Sequence, residues 1–390
     1  MISFDNTEIA FKYKSDKDLK RAYTMFKLVG KSWLVSLGKA MMPIAFKLHL
    51  PIKRIIKATI FHQFCGGESI DDCDHTIQVL YDNNVGTILD YSVEGMSTEE
   101  EFNHTRDEII STVRKAKGNK AIPFAVFKGS GVSRQGLLEK LNDQDAEITE
   151  SEKAEFARVV ERMDAICKEA HDCDVPLFVD AEESWIQNTL DRVVESMMIK
   201  YNKEKCIIFN TCQMYRHDRL QYIKDEIEEG KRSGFRFGAK LVRGAYMEKE
   251  RARAAERGYP SPLQPDKVSC DNHFNAALQL MVEKIDHCSF CCGTHNEDSS
   301  LLLMQLMKEH NIPKDDKRIY FAQLLGMSDN ISFNLAHHNF QVAKYVPYGP
   351  IKKVMPYLLR RADENTSVAG QTGRELDLIS KEWKRRKEEK

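Results

Sequence analysis

An excess of charge of one sign is what this chain lacks first: 58 Lys and Arg stand against 59 Asp and Glu over 390 residues, a formal net charge of -1. A nucleic-acid surface needs a basic stripe that displaces phosphate counterions, and here basic residues are interleaved with acidic ones, so that class is set aside. Long apolar runs are missing too. The most apolar segment, "LVGKSWLVSLGKAMMPIAFKLHLPIKRIIKATI" over 28–60, has uncharged runs of about seven residues where a bilayer span takes roughly 20. Within it acid is absent altogether, while Lys31, Lys39, Lys47, Lys53, Arg54 and Lys57 recur. Two readings stay open: helices that pack on a neighbouring domain with snorkelling lysines, or contact with an anionic membrane surface.

Signals of export are also lacking. The first residues, "MISFDNTEIAFKYKSDKDLKRAY", contain acids and no apolar core of signal-peptide type, so a cytoplasmic or already trimmed chain is expected. Ten cysteines do not amount to a disulfide framework: Cys206, Cys291 and Cys292 lie in apolar runs, and Cys65, Cys73, Cys167 and Cys173 show no secreted small-domain spacing. Free buried thiols are expected. Cys288-Ser-Phe-Cys291 is a C-x-x-C without a second ligand pair, and Asp143-x-Asp145-x-Glu147 has Ile148 and Ala154 where a calcium loop needs Gly and Glu, so no metal site is read.

What is present, from Gly86 onward, is regular alternation. Short runs rich in Val, Ile, Phe and Tyr recur eight times: near 87–93, 122–129, 175–183, 206–213, 237–244, 290–295, 319–326 and 343–349. Amphipathic stretches separate them; one opens on the capping-box sequence Thr149-Glu-Ser-Glu152. Eight such units predict an α/β fold, a (β/α)8 TIM-like barrel, over 86–375, preceded by a helical region over 1–85 and followed by a charged tail over 376–390. Polar residues collect at the C-terminal ends of the runs: Lys128, Asp180 with Glu182 and Glu183, Gln213, Arg243, Thr294 with His295, Gln323, and Tyr345 with Tyr348. On such barrels that end carries the chemistry.

Several classes can be weighed on this inventory. Only His295 among histidines sits at a strand end, which argues against metal-dependent hydrolysis. Lys128 in "FAVFKGS" suits either Schiff-base chemistry or a pair with Asp180 that orients substrate. Gly129-Ser-Gly131 has Arg134 where a dinucleotide fingerprint needs its third Gly. "KLVRGAY" offers Lys240, Arg243 and a glycine for close backbone approach to a phosphate-bearing cofactor. Past the last run, "YLLRRADEN" places Tyr357, Arg360, Arg361 and Glu364 on one helical face. Two guanidiniums there suit a carboxylate ligand, with Glu364 within one turn to hold them.

"KLVRGAYMEKERARA", "GTHNED", "FAQLLGM" and "YVPYGPIKKVMPYLLRRADEN" resemble the proline dehydrogenase family, in its monofunctional eukaryotic-type form, and the resemblance runs from about Gly86 to the C-terminus. It implies a barrel with noncovalently bound FAD that oxidises L-proline to Δ1-pyrroline-5-carboxylate and passes electrons to membrane quinone. By motif, it implies that Arg360 and Arg361 bind the carboxylate with Glu364 orienting them, and that Lys128 and Asp180 complete the substrate end. Leu324, Tyr345, Tyr357 and Ala245 would pack on the ring. Gln213, Lys240, Arg243, Gly244, Ala245, Thr294, His295 and the backbone near Ala181 would contact the flavin. Many bacterial relatives exchange the two basic positions of "KLVRGAY", so Lys240 would meet flavin N5 as a point charge without a fork. Asp180 is expected to orient more than to act as a base. Alternatives are a 4-hydroxyproline dehydrogenase, a flavin-free Schiff-base lyase using Lys128, and a catalytically silent membrane scaffold; the bulk of Tyr345 favours unsubstituted proline. The expected location is cytoplasmic at the inner membrane, or mitochondrial in a eukaryote.

Overall fold

The structure, a computed structural model, describes residues 2–31, 33, 36, 52–143, 145–367 and 371–389, without the side chains of 29, 52, 55, 363–367 and 371–372. Eight parallel strands form a closed barrel in sequence order: β1 (Gly86–Tyr91), β2 (Phe124–Lys128), β3 (Leu177–Asp180), β4 (Ile208–Gln213), β5 (Phe237–Val242), β6 (Cys288–Gly293), β7 (Ile319–Leu324) and β8 (Val342–Tyr348). Each falls on one of the eight apolar runs, and at least one helix lies between consecutive strands, as parallel neighbours require. The runs are apolar nearly throughout because both faces are covered; β4 and β8 are buried at every residue.

Local signals start the helices. Thr149 and Glu152 form the predicted capping box at the head of Glu150–Asp172, and Thr98 with Glu101 forms a second before Glu99–Ala116. All ten cysteines are unbridged, and all but Cys270 are buried. Among the described residues no helix is long and apolar enough to cross a membrane. Most of the acid-free basic segment over 28–60 lies outside the described residues.

Internal contacts divide the chain into two units, Gly95–Ala322 and Met1–Glu94 with Gln323–Lys390. In the first, the lower strands carry an aromatic floor: Phe124 stacks on Phe178 at 4.4 Å and meets Phe209 and Tyr320 edge-on at 5.7 and 4.8 Å. In the second, β1 pairs with β8 from Gly86↔Ala343 to Tyr91↔Tyr348. A separate apolar core joins Phe11, Phe26 and Phe64 of the N-terminal helices to Tyr357 and Leu358 of helix Ile351–Ser367 and Leu378 of helix Gln371–Glu388. The last of these covers most of the predicted charged tail and buries Glu382 along with Ile379.

Candidate active site

In the Gly95–Ala322 unit the strand ends converge on a buried cation. Lys240 sits between Thr211 of β4 and Cys291 of β6 in register, 5% exposed, with its ammonium 5.5 Å from the Phe178 ring centroid. It donates to Asp180 Oδ1 at the end of β3. A buried ammonium is tolerated only with such a partner. Register sets Lys128, at the end of β2, beside Asp180. The sequence pairs Asp180 with Lys128; an ion pair of Asp180 with Lys240 stands beside that expectation. Next to Lys240, the Thr211 hydroxyl is buried without a hydrogen-bond partner among the described residues.

Gln213, the last residue of β4, ties two loops together: its Nε2 donates to the Glu182 carbonyl at 2.7 Å and its Oε1 accepts from the Ala245 amide at 3.1 Å. Gly244, just before Ala245, has φ +140°, and a Cβ there would lie 2.4 Å from the Tyr215 ring, so no other residue fits. Gly244 and Ala245 are both exposed. Arg243 spreads its fork over three partners, Asp271 Oδ1 at 2.6 Å, Thr294 Oγ1 at 2.7 Å and Ser299 Oγ at 2.9 Å, with Phe274 under the guanidinium. His295 follows Thr294, half-buried. A buried ammonium, a guanidinium, hydroxyls and open backbone suit an anionic, phosphate-bearing cofactor, and the orphaned Thr211 hydroxyl leaves one interior donor for it.

Sequence reasoning placed Glu182 at the end of its run but assigned a role only to its neighbour Ala181. Glu182, 5% exposed, accepts from Ser130 N at 2.8 Å and from Ser130 Oγ, so it closes the β2 loop onto the β3 loop. Burial pushes its carboxyl up to about 7 against those donors and the charge of Lys128. The available signal was two consecutive acids directly after an apolar strand.

In the other unit, helix Ile351–Ser367 carries the predicted arginines. Arg361 is 7% exposed and lies over the Tyr357 ring at 5.2 Å, and Tyr357 is itself buried in the core. Arg360 is half-exposed and engages Glu94 through both terminal nitrogens, Nη1 to Oε2 at 2.9 Å and Nη2 to Oε1. The expected brace, Glu364, lies outside the described side chains; Glu94, 266 positions away in sequence, contacts Arg360, and no local spacing could have revealed that partner. Tyr345 is buried in β8, and its carbonyl accepts from the Leu325 amide at 2.8 Å, which sets half-buried Leu324 beside that strand.

A family model described as proline dehydrogenase matches residues 73–374. "Proline dehydrogenase 1, mitochondrial" of Dictyostelium discoideum is 32% identical, over 96% of this chain and 73% of that protein. The human protein of the same name is 41% identical over 65% of this chain and 42% of its own length, so the match spans less than half of that relative. In fold, a crystal structure of proline utilization A from Bdellovibrio bacteriovorus, inactivated by N-propargylglycine, covers 94% of this chain and 36% of that one, with a TM-score of 0.70 at 19% identity. On the extent of these matches, the chain belongs to the proline dehydrogenase family.

Proposed function

We propose that this protein is a flavin-dependent proline dehydrogenase that holds FAD noncovalently, oxidises L-proline to Δ1-pyrroline-5-carboxylate and hands the electrons to a membrane quinone. The observation that carries the proposal is the pair of adjacent arginines within the matched stretch: Arg361 buried on Tyr357, Arg360 braced by Glu94. Held this way, two guanidiniums take one carboxylate from two directions, which orients an amino acid by its acid end.

Leu324, Tyr345, Tyr357 and Ala245 are assigned to the ring of the substrate, and Lys128 with Asp180 to its amine end. Gln213, Lys240, Arg243, Gly244, Ala245, Thr294, His295 and the backbone at Ala181 are assigned to the flavin. A flavin supplies the hydride acceptor. For the chain's own part, Lys240 keeps positive charge at the bottom of the site, and Asp180 holds that ammonium in place. The carboxylate of Asp180 is assigned as the acceptor of the amine proton, Lys128 being an ammonium that can only donate, and no residue needs to be an unusually strong base.

A quinone acceptor requires work at a membrane face, and the acid-free basic segment over 28–60 has the composition for it. In a eukaryotic cell the location is then mitochondrial, and in a bacterium the cytoplasmic face of the inner membrane. The test is proline titration of the flavin spectrum in wild type and Arg361→Met. A charge-assisted hydrogen bond is worth about 1.5–3 kcal/mol, so the apparent Kd for proline is expected to rise roughly 10- to 100-fold. Unchanged reduction in the variant would refute the carboxylate clamp, and a flavin-free wild type would refute the reaction.

A further inference from the structure

The four residues 325–328 join β7 to helix Asp329–His337 through two positive φ values, +75° at Gly326 and +49° at Ser328. Serine in the left-handed region is strained, and such a conformation persists only where its surroundings over-determine it. Here they do. Lys344 of β8, fully buried, donates to the Met327 carbonyl at 2.8 Å and the Leu324 carbonyl at 3.3 Å while pairing with Asp329 at 2.9 Å. Gln63 Nε2 donates to the Gly326 carbonyl at 2.9 Å. Glu375, 4% exposed on helix Gln371–Glu388, accepts the Ser328 amide at 2.5 Å.

Three separate segments thus grip one short loop by its backbone. Stability alone does not explain the means chosen, because a buried ammonium with two carboxylates is at best even with apolar filling of the same volume. What such a cluster does supply is a single geometry. The loop follows directly on Leu324, and its Leu325 amide is bound to the Tyr345 carbonyl, so both residues assigned to the substrate ring are tied to it.

We propose that Gln63, Lys344 and Glu375 are positioning residues that fix the Leu324–Tyr345 wall and thereby set the discrimination between proline and ring-substituted prolines. This rests on the assignment of Leu324 and Tyr345 to the substrate ring made above. A rigid wall rejects an added ring hydroxyl by crowding it; a wall that yields by a few tenths of an ångström does not.

The experiment measures kcat/KM for L-proline and for trans-4-hydroxy-L-proline with flavin-loaded wild type, Glu375→Ala, Glu375→Gln and Gln63→Ala. Glu375→Ala and Gln63→Ala are expected to lower the proline-to-hydroxyproline ratio about fivefold or more. Glu375→Gln is expected to retain it within about twofold, since its amide oxygen can accept the same Ser328 N–H. A merely structural role would lower both activities in parallel with the ratio unchanged, and that result overturns the proposal, as would a Glu375→Gln variant that loses the ratio as far as Glu375→Ala does. If Glu375→Ala does not fold, Gln63→Ala decides the question. A wild type that oxidises neither compound overturns the functional assignment itself, and the inference with it.

Discussion

Arg360 shows how much of a residue's role depends on a partner remote in sequence. Its helix spacing makes it a ligand-facing arginine, and the structure adds that Glu94, from the segment after β1, already holds both terminal nitrogens. Since both side chains are about 30% exposed, the pair is worth only about 0.5–1 kcal/mol after screening. Glu94→Gln is therefore expected to raise KM for proline about two- to fivefold, leaving flavin content unchanged; steady-state kinetics beside the flavin absorbance decide it. Unaltered KM would mean that Arg360 needs no brace. Position along the barrel was legible at this scale: Asp180 and Gln213 end their strands and Arg243 directly follows β5, while Lys240 lies inside β5. Partners were not legible. That Asp180 would meet Lys240, 60 positions on, follows from the closeness of β3 to β5, which no local pattern encodes.

At the scale of elements, strands were the easiest to find and the irregular joins the hardest. A buried parallel strand must be apolar along its whole length, so eight runs announce eight strands. The capping box at Thr149 is equally local. The β7 loop has no such signature: "LGMSD" contains one glycine, yet two residues in it are left-handed. Gly326 is the one that cannot be replaced, for a Cβ there would meet the Gln63 carbonyl at 2.1 Å on a backbone with φ +75°. Gly326→Ala should destabilise the fold by more than about 2 kcal/mol, seen as a lowered midpoint in urea unfolding, where a glycine-to-alanine change in an open helix would be neutral or stabilising. An unmoved midpoint would show that the backbone at Gln63 gives way without cost.

Over the whole molecule, buried carboxyls dictate the response to pH. Glu182, Glu226 and Glu375 are pushed up from 4.5 to about 7, 8 and 7, in each case by burial first. The unfolded chain ionises these groups above pH 4.5, whereas the folded chain keeps their protons until pH 7 to 8, so the native state binds more protons across that window. Their contribution is full below pH 4.5 and is lost as pH rises to 8. Thermal unfolding is expected at a higher temperature near pH 5.5 than near pH 8 in respect of these groups, and Glu226→Gln, remote from the assigned site, should shrink the difference; an identical difference in the variant would remove Glu226 from the account.

By itself the sequence determined the class of fold and the family, and it supplied the candidates for the site. Those depend on patterns that repeat locally: apolar length, periodic faces, caps, and motifs whose residues are near one another in the chain. Tertiary structure alone decided the pairings, Asp180 with Lys240, Arg360 with Glu94, Ser328 with Glu375. A buried charge must take whichever opposite group the closed fold brings within reach, and that reach is set by strand order and register, quantities that exist only once the chain has folded.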